Sequence, residues 1–130
     1  MATILIVEAG GERFAVPFEV IVETLRIAPA RVRPIGLGRA FVARDRTLPL
    51  LDLAGLLGLQ PSRREGDLRI LVVDSGQGPV GIEVGGFSER LDVVLRPMTG
   101  LLANMPAISG TTLLGDGSVL LILDLPELIG

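Results

Sequence analysis

An eleven-residue phrase occurs twice in this 130-residue chain, and it limits the possible folds more than any other feature. From Leu48 it reads LPLLDLAGLLG and from Leu120 LLILDLPELIG, so Leu51, Asp52, Leu53, Leu56 and Gly58 return as Leu123, Asp124, Leu125, Leu128 and Gly130. Each copy begins as a short apolar run, the pattern of a strand buried on both faces, and passes into a Leu-rich helical turn that a Gly closes. The chain therefore reads as two related halves. A fainter echo agrees with this: Phe14-Ala15-Val16 after one Gly-rich turn resembles Val80-Gly81-Ile82 after another.

Taken in order, Ile4 to Glu8 and Arg13 to Phe18 flank Gly10-Gly11 and predict a hairpin. Pro17 predicts an edge or a bend there, because it cannot donate to a ladder. Val20 to Ile27 fits a strand or a short helix equally well by period. Pro29 to Gly38 is rich in Pro, Arg and Gly and predicts a loop. Ala40 to Ala43 starts a strand turning at Asp45-Arg46, with the central phrase as its return strand. After a polar connection from Gln60 to Asp67, Leu68 to Asp74 and Val80 to Val84 predict a second hairpin. Leu91 to Arg96 reads as a strand stopped by Pro97, and Thr99 to Ile108 as loop or a helical turn. Thr111 to Leu114 and Val119 to Leu123 face each other across Asp116-Gly117, a strong hairpin signal.

Short strands at turn spacings of roughly ten residues, with little helix, indicate an all-β sandwich or barrel. Two tandem small barrels suit the repeat best. Asp52 and Asp124 then end buried strands, where a carboxylate caps the following helical turn.

Absent residue types exclude most chemistry. The chain has no Cys, His, Trp, Tyr or Lys. Disulfides, thiolate and imidazole catalysis, the usual zinc site and a lysine-bearing phosphate loop all go with them. No run of about 18 apolar residues escapes Gly, Pro or a charge, so no transmembrane helix is expected, and the N-terminus lacks a signal-peptide pattern. Those readings point to a cytoplasmic chain. Six Arg between Arg26 and Arg46 stand against Asp45 alone, but the net charge is −3 and only four Phe are present. Nucleic-acid binding is not expected on that basis.

One catalytic signature survives these absences. Leu71-Val72-Val73-Asp74-Ser75-Gly76 matches the Asp-Ser/Thr-Gly loop of retroviral-type aspartic proteases, with Asp74 as the carboxylate. The Gly-Arg-Asp/Asn segment expected downstream is missing, and a plain hairpin turn explains the same residues. Between Val93 and Gly115 the only charge is Arg96, although Pro97, Gly100, Asn104, Pro106 and Gly110 break the segment. Exposed and apolar together, it suggests a protein-binding surface drawn from Leu95, Met98, Leu101, Leu102 and Met105, unless these line a groove between the barrels.

The pieces GERFAVPFEVIVETLRI from Gly11, RTLPLLDLAGLLG from Arg46, RLDVVLRP from Arg90 and MPAISGTTLLGDGSVLLILDLPEL from Met105 resemble the CheW-like family of bacterial chemotaxis. The resemblance is nearer to the C-terminal regulatory domain of CheA-type histidine kinases than to free-standing CheW, whose Asn-Leu-Arg-Gly phrase is here Ala43-Arg44-Asp45-Arg46. It covers nearly the whole chain. It implies an all-β fold of two intertwined SH3-like five-stranded barrels with short helical turns, the first near 14–67 and the second 1–13 plus 68–130. It also implies a non-catalytic, cofactor-free and metal-free scaffold role, cytoplasmic and at membrane-associated receptor arrays. The implied partners are a CheW-type coupling protein, the chemoreceptor cytoplasmic tip and the rest of a CheA-type kinase, with no nucleic acid and no membrane insertion. The partner-binding positions it suggests are Val20, Val22 and Leu25 on the first barrel and Val94, Leu95 and Met98 on the second. Departures are Ala107 for Gly, Arg96 for Lys, and Gly85-Gly86 for an acidic and a larger residue. The phospho-accepting His and ATP-binding module of a full kinase do not fit in this chain, so it is read as a domain cut from such a kinase, with a stand-alone adaptor as the alternative.

Overall fold

The structure, a computed structural model, describes residues 1–61, 66–98 and 106–130. Among the described residues, eleven strands run β1 (Ala2–Ala9), β2 (Glu12–Pro17), β3 (Ile21–Ile27), β4 (Val32–Ile35), β5 (Gly38–Ala43), β6 (Arg46–Asp52), β7 (Leu68–Asp74), β8 (Pro79–Val84), β9 (Gly86–Val93), β10 (Ile108–Leu113) and β11 (Val119–Leu123). Two single-turn helices, α1 (Leu53–Leu56) and α2 (Leu125–Ile129), follow the two copies of the phrase. The strands form a five-stranded sheet, β10-β11-β2-β1-β9, and a six-stranded sheet, β3-β7-β8-β6-β5-β4. The fold is all-β, as the sequence predicts.

Strand pairing extends the repeat well beyond the phrase. Ile6 lies opposite Ala15 as Val72 lies opposite Gly81, Ile21 opposite Val73 as Phe87 opposite Val7, Leu25 opposite Ile70 as Leu91 opposite Ile4, and Ile27 opposite Leu68 as Val93 opposite Ala2. Every matched pair is 66 positions apart. A register shift of one residue recurs at the matching place, with three residues of β3 spanning two of β7 and four of β9 spanning three of β1. In the parallel pairs, Leu50 faces Gly81 and Ile122 faces Ala15.

The halves exchange strands. β3 follows the β1–β2 hairpin in the chain but pairs with β7, and β9 follows β7–β8 but pairs with β1. One crossing occurs at Pro17, where β2 gives way to a 3-10 turn (Phe18–Val20) before β3 enters the other sheet. The other lies at Gly85, whose N–H donates to Glu8 O at 2.6 Å and where a Cβ would stand 3.0 Å from that carbonyl. The outer strands of each sheet are then linked in different ways. Arg96 and Thr111 exchange main-chain bonds of 2.8 Å and join the β9 side to β10, while residues 28–31 carry the chain from β3 directly into β4.

Burial follows from this exchange. Ile4, Ala15, Val93, Leu120 and Ile122 fill one barrel, and Ile27, Phe41, Leu48, Leu50, Leu68, Ile70 and Val72 fill the other. The largest cluster lies between the barrels, where Leu5, Val7, Phe14 and Val16 meet Leu71, Val73, Val80 and Ile82, with Leu53 and Leu125 from the phrase. The hairpins are thus buried on both faces, which accounts for their nearly unbroken apolar runs. Asp124 caps α2 by accepting from Glu127 N at 3.1 Å, whereas Asp52 makes no such bond to α1.

Hydrogen-bonded pairing keeps β2 with β1 and puts β7 and β8 with β3 to β6. Several expectations are corrected. One sheet has six strands rather than five, because the expected loop from Pro29 to Gly38 contains β4. Pro34 is tolerated there because β4 is an edge strand. Val20 to Ile27, open between helix and strand, is a short 3-10 turn leading into β3. The strand expected at Leu91 to Arg96 is β9, from Gly86 to Val93, whose exposed stretch from Ser88 to Asp92 hides its apolar alternation. Residues 62–65 and 99–105 lie outside the described residues, and the expectation for Thr99 to Ile108 is tested only at its end, where Ile108 opens β10.

Packing at Gly81 has a measurable consequence. A Cβ there would strike Phe41 Cε1 and lie 2.7 Å from Phe41 Cζ and 3.0 Å from Ile70 Cγ2. Gly81→Ala should cost about 1–3 kcal/mol in chemical denaturation, and a Phe41→Leu background should shrink that cost through coupling. Ala107 has φ of +35°. Ala107→Gly should accordingly raise stability by about 0.5–1 kcal/mol in the same assay.

Candidate functional site

Exposed apolar side chains stand on both barrels, and on the five-stranded one they line a concavity. On the five-stranded barrel, the chain leaves β9 and is held at Arg96 by its pair with Thr111. The buried Thr112 hydroxyl donates to Val94 O at 2.8 Å, so Val94 and Leu95 are fixed from both sides while their side chains stay 59% and 44% exposed. Gly110 makes this possible, because a Cβ there would lie 2.5 Å from Arg96 O. The Ser109-Gly110-Thr111-Thr112 stretch is therefore a clamp for the segment that carries the apolar surface. Beside it, Met1, Leu91, Val94, Leu113 and Leu114 line an open concavity of about 340 Å³, with Asp92 and Arg96 on its wall.

On the six-stranded barrel, Val22, Ile35, Leu37 and Val42 are exposed, Leu37 completely. Arg44 Nη2 lies 3.3 Å from Glu23 Oε1 and ties the β5–β6 turn to β3, and Arg31 Nη2 donates to Val42 O at 2.9 Å. Val42 and Leu113 occupy the same repeat position, since Val42 faces Thr47 as Leu113 faces Val119. The repeat thus places an exposed apolar residue at the same point of both barrels.

The surfaces differ in charge. Arg26 lies directly opposite Arg69 on the six-stranded barrel. At the matching point of the other barrel stand Asp92 and Thr3, whose hydroxyl donates to Asp92 Oδ1 at 2.7 Å. One barrel presents two cations where its counterpart presents a carboxylate.

Of the positions suggested from sequence, Val22, Val94 and Leu95 are exposed. Val20 is half-buried against the central cluster, Leu25 half-buried against the six-stranded barrel's interior, and Met98 half-buried beyond Arg96. Leu101, Leu102 and Met105 fall outside the described residues. Sequence reading missed Ile35, Leu37, Val42, Leu91 and Leu113, and carrying the repeat from the phrase back into its partner strands would have matched Val42 with Leu113. Asp74 is exposed at the β7–β8 turn, where its carboxylate accepts from Gly76 N at 2.8 Å. It serves the hairpin there. Among the described residues no cluster of three acidic groups could hold a metal ion, and no helix is long and apolar enough to cross a membrane.

Comparison with known proteins places this arrangement in a group. A family model for the CheW-like domain matches residues 3–130. A chemotaxis protein CheA of Bacillus subtilis is 32% identical over 128 residues, covering 98% of this chain and 19% of that protein. One from Halobacterium salinarum is 29% identical over 126 residues, covering 96% and 18%. The chain thus spans about a fifth of the length of these curated relatives. Among solved structures, the scaffolding protein TtCheW of Thermoanaerobacter tengcongensis superposes with a TM-score of 0.74 at 15% identity, covering 95% of this chain and 88% of that one.

The β10–β11 turn beside the apolar surface offers a local check. Asp116 accepts from the Ser118 hydroxyl at 2.5 Å and from Ser118 N at 2.9 Å, with Arg13 Nη2 3.9 Å away. These contacts, the Ser118 hydroxyl first, hold its pKa below the ordinary 3.8. A lowered folded pKa means the contribution is present above the unfolded value and disappears as pH falls through the folded one. An NMR titration should place the Asp116 midpoint below 3.8, and Ser118→Ala should move it upward.

Proposed function

The chain belongs to the CheW-like domain family, and from that premise we propose that it is a non-catalytic coupling domain of bacterial chemotaxis signalling, docking through the apolar ends of its two barrels. The observation that supports this reading best is the Val94-Leu95 segment, exposed yet clamped by Arg96 and Thr112. A core residue gains nothing from such exposure, whereas a docking residue needs both exposure and a fixed backbone, because immobilising a loose segment on binding weakens association. The partners are a CheW-type coupling protein and the cytoplasmic tip of a chemoreceptor, with the remainder of a CheA-type kinase where the domain is part of one. Its location is then the cytoplasmic face of receptor arrays.

The charge difference adds selectivity. An apolar partner surface bearing carboxylates suits the end with Arg26 and Arg69, and one bearing cations suits the end with Asp92. Individual barrel-end contacts are small, so pairing is reversible, and retention in an array comes from many such contacts together.

Titration against the CheW-type protein encoded in the same genome, followed by calorimetry and NMR shift mapping, tests the reading. Saturable binding should perturb Val94, Leu95 and Leu113 or, at the other end, Val22 and Val42. Leu95→Asp should leave the circular-dichroism spectrum and melting curve unchanged while weakening a contact through that end at least about tenfold, as for an interface anchor. Unchanged affinity in both Leu95→Asp and Val22→Asp would sink the docking assignment.

A further inference from the structure

Every pairing between named strands that is not a hairpin joins one half of the chain to the other. β1 pairs with β9, β2 with β11, β3 with β7, and β6 with β8. The central cluster is likewise assembled from both halves. Covalently, only the connection between α1 and β7 ties them together. A second copy of the chain carries the same complementary half, in the same registers.

We infer that two copies of this chain combine by exchanging halves, forming a closed dimer in which the β1–β2 hairpin of one copy is completed by β9–β11 of the other, and its β3–β6 by the other's β7–β8. All pairings and all three apolar clusters are retained, so the monomer and the dimer differ only in the path of the connection and in the entropy of joining two chains. A short tether holds its own half at an effective concentration on the order of millimolar. Copies folding at micromolar concentration therefore close on themselves, and copies folding near millimolar exchange.

Exchange also changes the docking surface. Met1 comes from the first half, while Leu91, Val94 and Leu113 come from the second, and all line one concavity. In the dimer that concavity is built from two chains, and each dimer offers two of them.

The chain has no cysteine, which makes the test direct. Arg26 on β3 lies directly opposite Arg69 on β7. Arg26→Cys and Arg69→Cys are prepared as separate proteins, mixed, unfolded together, refolded at about 1 mM or about 10 μM, and oxidised. A 26–69 disulfide between chains should form at the higher concentration, drop at least about tenfold at the lower, and be missing when the two proteins are mixed already folded. Equal linkage with and without joint unfolding would overturn the inference. The unsubstituted chain gives an independent reading by size exclusion with light scattering. After refolding at about 1 mM it should show a dimer that survives dilution, unlike a pair docked by barrel ends, which dissociates. A monomer alone under those conditions would also overturn exchange, while leaving the docking assignment untouched.

Discussion

Burial of both faces of the β1–β2 and β7–β8 hairpins is the constraint on which the remaining structure depends. An antiparallel hairpin usually keeps one face in water. Here Ile4 faces a barrel interior while its neighbours Leu5 and Val7 belong to the cluster between the barrels, and Ile70 and Val72 alternate with Leu71 and Val73 in the same way. Each fully buried side chain of this kind contributes about 1.5–3 kcal/mol, so neither face can be left uncovered cheaply. A hairpin with two apolar faces needs a barrel around one and a second hairpin against the other. The repeat supplies the second hairpin. A barrel of some sixty residues would be marginal alone, and the shared central cluster makes the pair one cooperative unit.

Departures from the repeat carry as much information as its agreements. Phe41 fills the six-stranded barrel because Gly81 leaves room for its ring, while the matching positions of the other barrel hold Thr112 and Ala15. A large side chain over Gly has thus been replaced by a small polar one over Ala, and the hydroxyl gained by that change holds Val94 in place. Outside the barrels, Arg26 and Arg69 correspond to Asp92 and Thr3. The interior substitution fixes a surface segment, and the exterior one puts a carboxylate on one barrel where the other has two cations.

Local features of the fold were legible in the sequence, whereas its long-range pairings were not. Gly10-Gly11 and Asp116-Gly117 marked their hairpins because a tight turn demands particular backbone angles, and the phrase marked a buried strand followed by a helical turn closed at Gly58, where φ is +73°. The strand β4 escaped because its residues, Val32 to Ile35, include Arg33 and Pro34, which an edge strand tolerates and a propensity reading rejects. Exchange of β3 and β9 left no local mark at all, since a strand's alternation records that it is covered and not which hairpin covers it. For the candidate site, the uncharged stretch around Leu95 announced an apolar surface. The exposure of Val42 and Leu113 was concealed because a single outward apolar residue on a strand looks like part of the core pattern.

The exchanged architecture also bears on how a docking event is felt within the domain. Leu95 and Val22 lie on different barrels, yet each lies close to a strand paired across the repeat boundary: β9 lies on β1 from the first half, and β3 lies on β7 from the second. A displacement of the Val94-Leu95 segment reaches Thr112 through its hydroxyl and β10 through the Arg96–Thr111 pair, and from β11 it reaches β2. β2 leads at Pro17 into the turn before β3. Each of these steps is a hydrogen-bonded pairing or a covalent continuation through a buried core. Two separately folded barrels on a flexible tether would have no such path.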